Sequence, residues 1–149
     1  MSKIKTILKY TLLIVGCQLS IDSFAQEIPI GTWRTHSSFN SINSVSIGAT
    51  NVYASASNGV MIFNLADNSL STITKLDGLS STGITQVAVD QPRQQMLITY
   101  ADGNLDILRE NEMINFDRLK NSTTVTGSKR INHIALNGAL AYLSTDHGV

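Results

Sequence analysis

One apolar pattern recurs three times along the chain, and it limits what the sequence can fold into more than any other feature. It starts at Ile42, Ile84 and Ile131, and in each copy apolar residues fill the first, fourth and sixth positions: Ile42, Val45 and Ile47; Ile84, Val87 and Val89; Ile131, Ile134 and Leu136. A glycine follows 17, 19 and 17 residues after each start, at Gly59, Gly103 and Gly148, so the glycines stand 44 and 45 residues apart. Self-similarity at a fixed period of this size marks a repeat architecture, in which each unit cannot bury its apolar face without a neighbour.

The first unit predicts strands over 42–47, 52–56, 60–64 and 70–75, and the second over 84–89, 95–100, 104–109 and 113–118. These segments alternate or cluster β-branched and aromatic residues. Turn residues such as Ser57-Asn58-Gly59 and Ala101-Asp102-Gly103 separate them, and the glycine is expected to supply the positive φ of a tight hairpin. After residue 25 no segment keeps a 3.6-residue apolar period. Four strands per unit match a propeller blade; leucine-rich and parallel β-helix units are shorter, and ankyrin and TPR units are helical. The predicted fold is all-β: a β-propeller, two blades and part of a third, over about 42–80, 84–128 and an incomplete 131–149. The third unit stops at Gly148-Val149 where the first continues Val60-Met61-Ile62-Phe63, and a ring needs about four blades or more to close. The expectation is therefore a piece truncated from a larger, seven-bladed ring, with bare faces on its end blades and an unpaired edge beside residues 139–144.

The N-terminus reads as a targeting segment. Lys3, Lys5 and Lys9 precede a short apolar run, Tyr10 to Gly16, and Ser23-Phe24-Ala25 offers small residues before a cut at Ala25/Gln26. That order is the layout of a secretory signal peptide over 1–25, and the run is shorter than the roughly 20 residues that span a bilayer. Ile14-Val15-Gly16-Cys17 supports a rival reading as a lipobox with Cys17 lipidated. Cleavage after Ala25 removes the one Cys in the chain, and with it any disulfide, thiolate-metal or Cys-nucleophile account. Residues 26–41 form an N-terminal segment before the propeller at 42–149; Ile30 to Thr35 has strand character and suits a strand that closes the ring.

Composition argues against several function classes. The chain holds 11 Lys+Arg and 11 Asp+Glu, and removal of 1–25 takes three Lys and one Asp, leaving a net charge near −2. Lys129-Arg130 is an isolated basic pair, so nucleic acid is not an expected partner. His36, His133 and His147 lack metal-ligand spacing, and no Gly-x-Ser-x-Gly elbow marks a nucleophile. Glu110 and Glu112 flank a predicted turn at Glu110-Asn111 and read as solvated. Asp102 and Asp106 lack the pattern of a calcium loop, and Asn121-Ser122-Thr123 fits the glycosylation sequon only formally. Neither a catalytic residue nor a metal or cofactor site is expected. The one unusual cluster is Trp33, Arg34 and His36, either a ligand-recognition site with a cation–π contact or a packing anchor for the N-terminal strand. A large aromatic is costly to leave exposed, which favours the anchor.

Two resemblances follow. Leu76-Asp77-Gly78-Leu79-Ser80-Ser81-Thr82-Gly83-Ile84, followed by Val87, Val89 and Asp90, resembles the blade junction of the two-component regulator propeller repeat. Thr82-Gly83 departs from that family's Asn-x, and Met96-Leu97-Ile98-Thr99-Tyr100 from its Leu-Trp-Ile-Gly-Thr strand. The segment Phe24-Ala25-Gln26, then Ile28-Pro29-Ile30-Gly31-Thr32-Trp33-Arg34-Thr35-His36, then Val52-Tyr53-Ala54 and Asn58-Gly59-Val60, is similar to the start of PorZ-like proteins, propeller components of the Bacteroidetes type IX secretion system. That resemblance implies two propellers, a C-terminal β domain, a location at the outer membrane and cell surface or in the periplasm, and a place in the attachment complex. Its implied partners are attachment-complex proteins, including a sortase-like partner, and lipopolysaccharide or another glycan. A non-enzymatic binding role leads; the alternatives are the periplasmic sensor propeller of a hybrid two-component regulator and, last, a propeller hydrolase or lyase, since fold alone does not choose among them.

Overall fold

The structure is a computed structural model that describes residues 38–149. The predicted signal peptide, Cys17, and the Trp33, Arg34 and His36 cluster lie outside the described residues.

Among the described residues ten strands follow in chain order: β1 (Ile42–Ile47), β2 (Asn51–Ala56), β3 (Gly59–Asn64), β4 (Leu70–Thr74), β5 (Ile84–Asp90), β6 (Gln95–Tyr100), β7 (Leu105–Arg109), β8 (Glu112–Phe116), β9 (Ile131–Asn137) and β10 (Leu140–Thr145). They form two four-stranded sheets, β1-β2-β3-β4 and β5-β6-β7-β8, and a two-stranded sheet of β9 and β10. All pairings are antiparallel between consecutive strands. The two complete sheets are blades 1 and 2, and the β9–β10 hairpin is the inner part of blade 3. Each strand of blades 1 and 2 falls within a residue or two of its predicted span, and β4 stops at Thr74 because Lys75–Asp77 turn into a short 3₁₀ segment.

Registers explain why the repeat reads first, fourth, sixth rather than first, third, fifth. The register shifts between Ile42 and Ser44, between Ile84 and Gln86, and opposite Ser144/Thr145, where Ile131 and His133 stand. An extra residue in a strand flips the parity of everything beyond it. Asn43, Thr85 and Asn132 are those extra residues, so all three apolar side chains of each inner strand share one face, called here the front face.

The blades stack front to rear. The rear face of blade 1 presents Tyr53, Val60, Ile62 and Ile73, which pack on Ile84, Val87, Val89, Met96, Ile98, Tyr100 and Leu108 from the front of blade 2, with Leu79 of the connecting segment wedged among them. Burying such an aliphatic side chain is worth about 1.5–3 kcal/mol. The rear of blade 2 buries Leu97 and Thr99, and Ile131 and Ile134 at the front of β9 are buried beside it. Strand β6 is thus covered on both faces from Met96 to Tyr100, which is why its sequence is a near-continuous apolar run.

One expectation about turns is corrected. Gly103 and Gly148 adopt positive φ, 84° and 120°, but Gly59 does not. The blade-1 hairpin closes through Ser57 and Asn58, with Gly59 already paired to Ala56 as the first residue of β3. Glycine is needed there for close approach: a Cβ would sit 2.7 Å from the Ile73 carbonyl oxygen. The β7–β8 turn has φ of 50° at Glu110 and 77° at Asn111, the left-handed pair that a two-residue I′ hairpin requires.

Candidate functional site

Three features converge on the seam between blades 1 and 2. The first is a ladder of side chains from β1. The Val87 N–H donates to Ser44 Oγ at 2.8 Å, and the Val89 N–H to Ser46 Oγ at 3.1 Å. Asn43 Nδ2 donates to the Ile84 carbonyl at 2.6 Å, and Gln91 Nε2 reaches back to the Ile47 carbonyl at 3.3 Å. Small hydroxyl side chains suit this place because they reach the next strand's N–H groups, whose desolvation would otherwise cost about 1–3 kcal/mol each. The next seam is joined differently: Gln86 and Ala88 occupy the register positions of Ser44 and Ser46, and Arg93 donates to the Gly138 carbonyl at 2.7 Å.

The second feature is a buried carboxylate. Asp106 has no exposed surface, which is tolerable only with its oxygens fully hydrogen-bonded. Oδ2 accepts from the Ser80 N–H at 2.9 Å and the Tyr100 hydroxyl at 2.6 Å, and Oδ1 accepts from Asn115 Nδ2 at 2.7 Å and from the Ser80 hydroxyl. Burial first, and then the neighbouring Asp106 carboxylate, hold the Tyr100 phenol well above its ordinary value. Ser80 belongs to the segment that carries the chain from blade 1 to blade 2, so Asp106 latches that segment down. The adjacent Ser81 hydroxyl donates to Asp102 Oδ2 at 2.8 Å, which also pairs with Lys120 Nζ at 3.0 Å. Partial burial raises the Asp102 carboxyl, but hydrogen bonds from Lys120 and Ser81 outweigh it and hold the group below its ordinary value. The blade-junction motif thereby acquires physical roles: a Thr74–Asp77 capping box, a left-handed Gly78 at φ 109°, Leu79 in the core, and Ser80 and Ser81 on two aspartates. Sequence reading weighed Asp106 only as a calcium ligand. The signal for its real place was an acid inside the apolar run Leu105-Asp106-Ile107-Leu108.

The third feature is a cleft of about 400 Å³ at the edge of the same seam, near the β1–β2, β5–β6 and β7–β8 turns. Its floor is Tyr53, Val89, Met96 and Leu108, and its rim is Thr50, Gln91, Gln94, Gln95, Glu110 and Asn111. Gly48 makes room for the Tyr53 ring, whose Cε2 would lie 3.1 Å from an added Cβ. An apolar floor with a few polar groups at the mouth is the usual make-up of a ligand site of this size. The rim is rich in carboxamides, so it offers both donors and acceptors. No group of His, Cys, Asp and Glu among the described residues is placed to hold a metal ion. His133 and His147 are both exposed, and His147 lies in the Thr145–Gly148 turn.

Two complete four-stranded antiparallel sheets stacked front to rear, followed by the inner hairpin of another, define a stretch of β-propeller. The chain belongs to the PorZ N-terminal β-propeller family, whose model (TSS9, PorZ, N-terminal beta-propeller domain) matches residues 52–149. It is also similar to a solved structure of PorZ, described as an essential bacterial surface component of the type-IX secretion system of human oral-microbiomic Porphyromonas gingivalis. Identity is 26%, the TM-score is 0.64, and the match covers 69% of this chain and 14% of that one. The chain therefore spans a small part of the length of that relative. No curated protein matches it.

Proposed function

We propose that the protein is a non-enzymatic propeller component of the type IX secretion attachment complex, working at the cell surface by binding lipopolysaccharide and partner proteins, a sortase-like protein among them. The observation that carries this reading is the family match over 52–149, together with the similarity to a surface component of that system. Export would rest on the signal peptide at 1–25, and ring closure on 26–41. The seam cleft adds support for a binding role, because its carboxamide rim and apolar floor suit hydroxyl-rich groups presented beside an apolar surface.

The test is inactivation of the gene in its own bacterium. The expected result is retention of type IX cargo inside the cell and loss of its surface attachment; normal cargo display would overturn the proposal. For the ligand, titration of the full-length protein with purified lipopolysaccharide should show saturable binding. That binding should weaken at least about tenfold in a Gln94→Gly/Asn111→Gly variant, about 1.4 kcal/mol. Glycine removes both carboxamides while tolerating the left-handed backbone at these positions, φ 50° and 77°. Unchanged affinity would remove the cleft from the proposal without touching the secretion role.

A further inference from the structure

We infer that the cleft at the seam of blades 1 and 2 takes uncharged hexose units of a glycan, and neither its phosphate groups nor its acyl chains. The inference rests on the reading of the protein as a glycan-binding propeller component and narrows what that binding recognises.

The cleft is open at this seam because one side chain is missing. Gly48 and Asp90 are counterparts, each directly following the last apolar residue of its inner strand, Ile47 or Val89. At the next seam Asp90 Oδ2 accepts from Arg93 at 2.9 Å and from Gln95 at 3.0 Å, and the same Arg93 nitrogen reaches the Gly138 carbonyl at 2.7 Å. That network bridges blades 2 and 3. Blade 1 turns instead through Gly48-Ala49-Thr50, which offers no carboxylate and no long side chain to do the same. A Cβ on Gly48 would stand 3.1 Å from Tyr53 Cε2 and 3.7 Å from Val89 Cγ1, so the glycine is what lets ring and valine form the floor.

The lining then selects the ligand by charge. No Lys or Arg lines the cleft, whereas Glu110 does, and among the described residues Glu110 makes no ion pair. The cations on the adjoining elements are already engaged: Arg93 by Asp90 and Gly138, and Arg109 by Gln95 Oε1 at 2.6 Å. A phosphate entering here would meet a carboxylate without a cation to offset it. An acyl chain would strip water from the polar mouth and give it no partner. A pyranose meets both demands, since its C–H face can lie on Tyr53, Met96 and Leu108 while its hydroxyls, each donor and acceptor, face carboxamides that are the same. The Gln94 and Asn111 side chains make no hydrogen bond among the described residues, and Gln94 holds φ at 50°. A glycine takes that conformation more easily, so what a Gln adds there is its side chain, and sparsely populated backbone of this kind gathers at ligand sites.

Calorimetric titration of the full-length protein tests this with three probes: intact lipopolysaccharide, its polysaccharide stripped of acyl chains and phosphate, and inorganic phosphate. The stripped polysaccharide should bind within about threefold of the intact molecule. Its affinity should change by less than about threefold between about 0.05 and 0.5 M salt, and inorganic phosphate should not compete. Hydrogen exchange should slow on binding at the 48–50, 91–95 and 110–111 backbone. In the Gln94→Gly/Asn111→Gly variant the stripped polysaccharide should bind at least about tenfold more weakly, with the Val87 and Val89 amides still protected as a sign that the seam is intact. Loss of binding on removal of phosphate, with intact lipopolysaccharide still bound, would overturn the inference and leave the wider glycan reading standing. Binding of the stripped polysaccharide with slowed exchange only elsewhere would overturn the cleft as its site. Failure of intact lipopolysaccharide to bind would overturn the glycan reading itself.

Discussion

Blades 1 and 2 share strand number, connection order and the inner-strand bulge, yet the front faces carry different chemistry at equivalent positions. In blade 2 the registers align Ile84 with Tyr100, and Ile98 with Asp106 and Asn115. The same registers in blade 1 align Ile42 with Ala56, and Ala54 with Met61 and Thr72. Tyr100, Asp106 and Asn115 are thus replaced by Ala56, Met61 and Thr72, and blade 1 has no carboxylate latch. The front of blade 2 receives a connecting segment whose Ser80 needs an acceptor, so a buried acid fits there. The lesson is that a repeat fixes backbone geometry, while each seam chooses its own way to satisfy the polar groups it buries.

The comparison can be broken at its strongest point first. Asp106→Ala removes the acceptor for Ser80, Tyr100 and Asn115 and should destabilise the protein by about 3 kcal/mol or more, read by urea denaturation. Met61→Ala at the blade-1 counterpart should cost clearly less, since Met61 holds no polar network; equal losses would mean that the latch contributes nothing beyond packing. Next, Ile84→Ala should cost about 2–5 kcal/mol. Ile42→Ala in the full-length protein should approach that value if blade 1 is covered, and stay within about 0.5 kcal/mol if it is open. Smaller still, Ser44→Ala and Ser46→Ala should each cost about 1 kcal/mol and speed exchange of the Val87 and Val89 amides. Gln86→Ala, at the position matching Ser44 on the next seam, should leave the Ile134 amide unchanged.

The smallest effect is in pH dependence. Asp102 has a folded pKa below its unfolded value. Its contribution is present above the ordinary carboxylate range, near pH 4, and fades as pH falls through the depressed folded value. Asp102→Asn should therefore lower Tm slightly at neutral pH and leave the most acid end unchanged, flattening the acid limb of the profile; the effect is small, as expected for a partly exposed pair with Lys120.

Much of the fold was legible because strand periodicity and turn residues are local. Ile42, Ile84 and Ile131 do occupy equivalent points, and the predicted strand spans nearly coincide with the observed ones. The reason for the first-fourth-sixth spacing was less visible, since a bulge is defined by the partner strand and not by the sequence of its own. Gly59 was misjudged for a similar reason: its need for glycine comes from the Ile73 carbonyl on β4, which no local turn rule includes. The seam site was the least legible. Ser44 and Ser46 look like solvent-facing polar residues of an alternating strand, and only the position of blade 2, 43 residues further on, gives their hydroxyls work. Asp106 meets Ser80 across 26 residues, and such long-range polar pairing leaves no periodic mark.

The tip of the β6–β7 hairpin has a practical consequence. A Cβ on Gly103 would lie 2.9 Å from both the Cβ and the carbonyl oxygen of Lys129, and Lys129 Nζ in turn donates to the carbonyls of Lys120 and Ser122 at 2.7 and 2.8 Å. The strap between blades 2 and 3 is thus clamped at both ends while Thr123 and Thr124 stay exposed at its crest. An affinity tag spliced between those two threonines would break only the local bonds of the Ser122 hydroxyl to Thr124 and the Val125 N–H, giving a handle for isolating the assembled protein with its termini left alone.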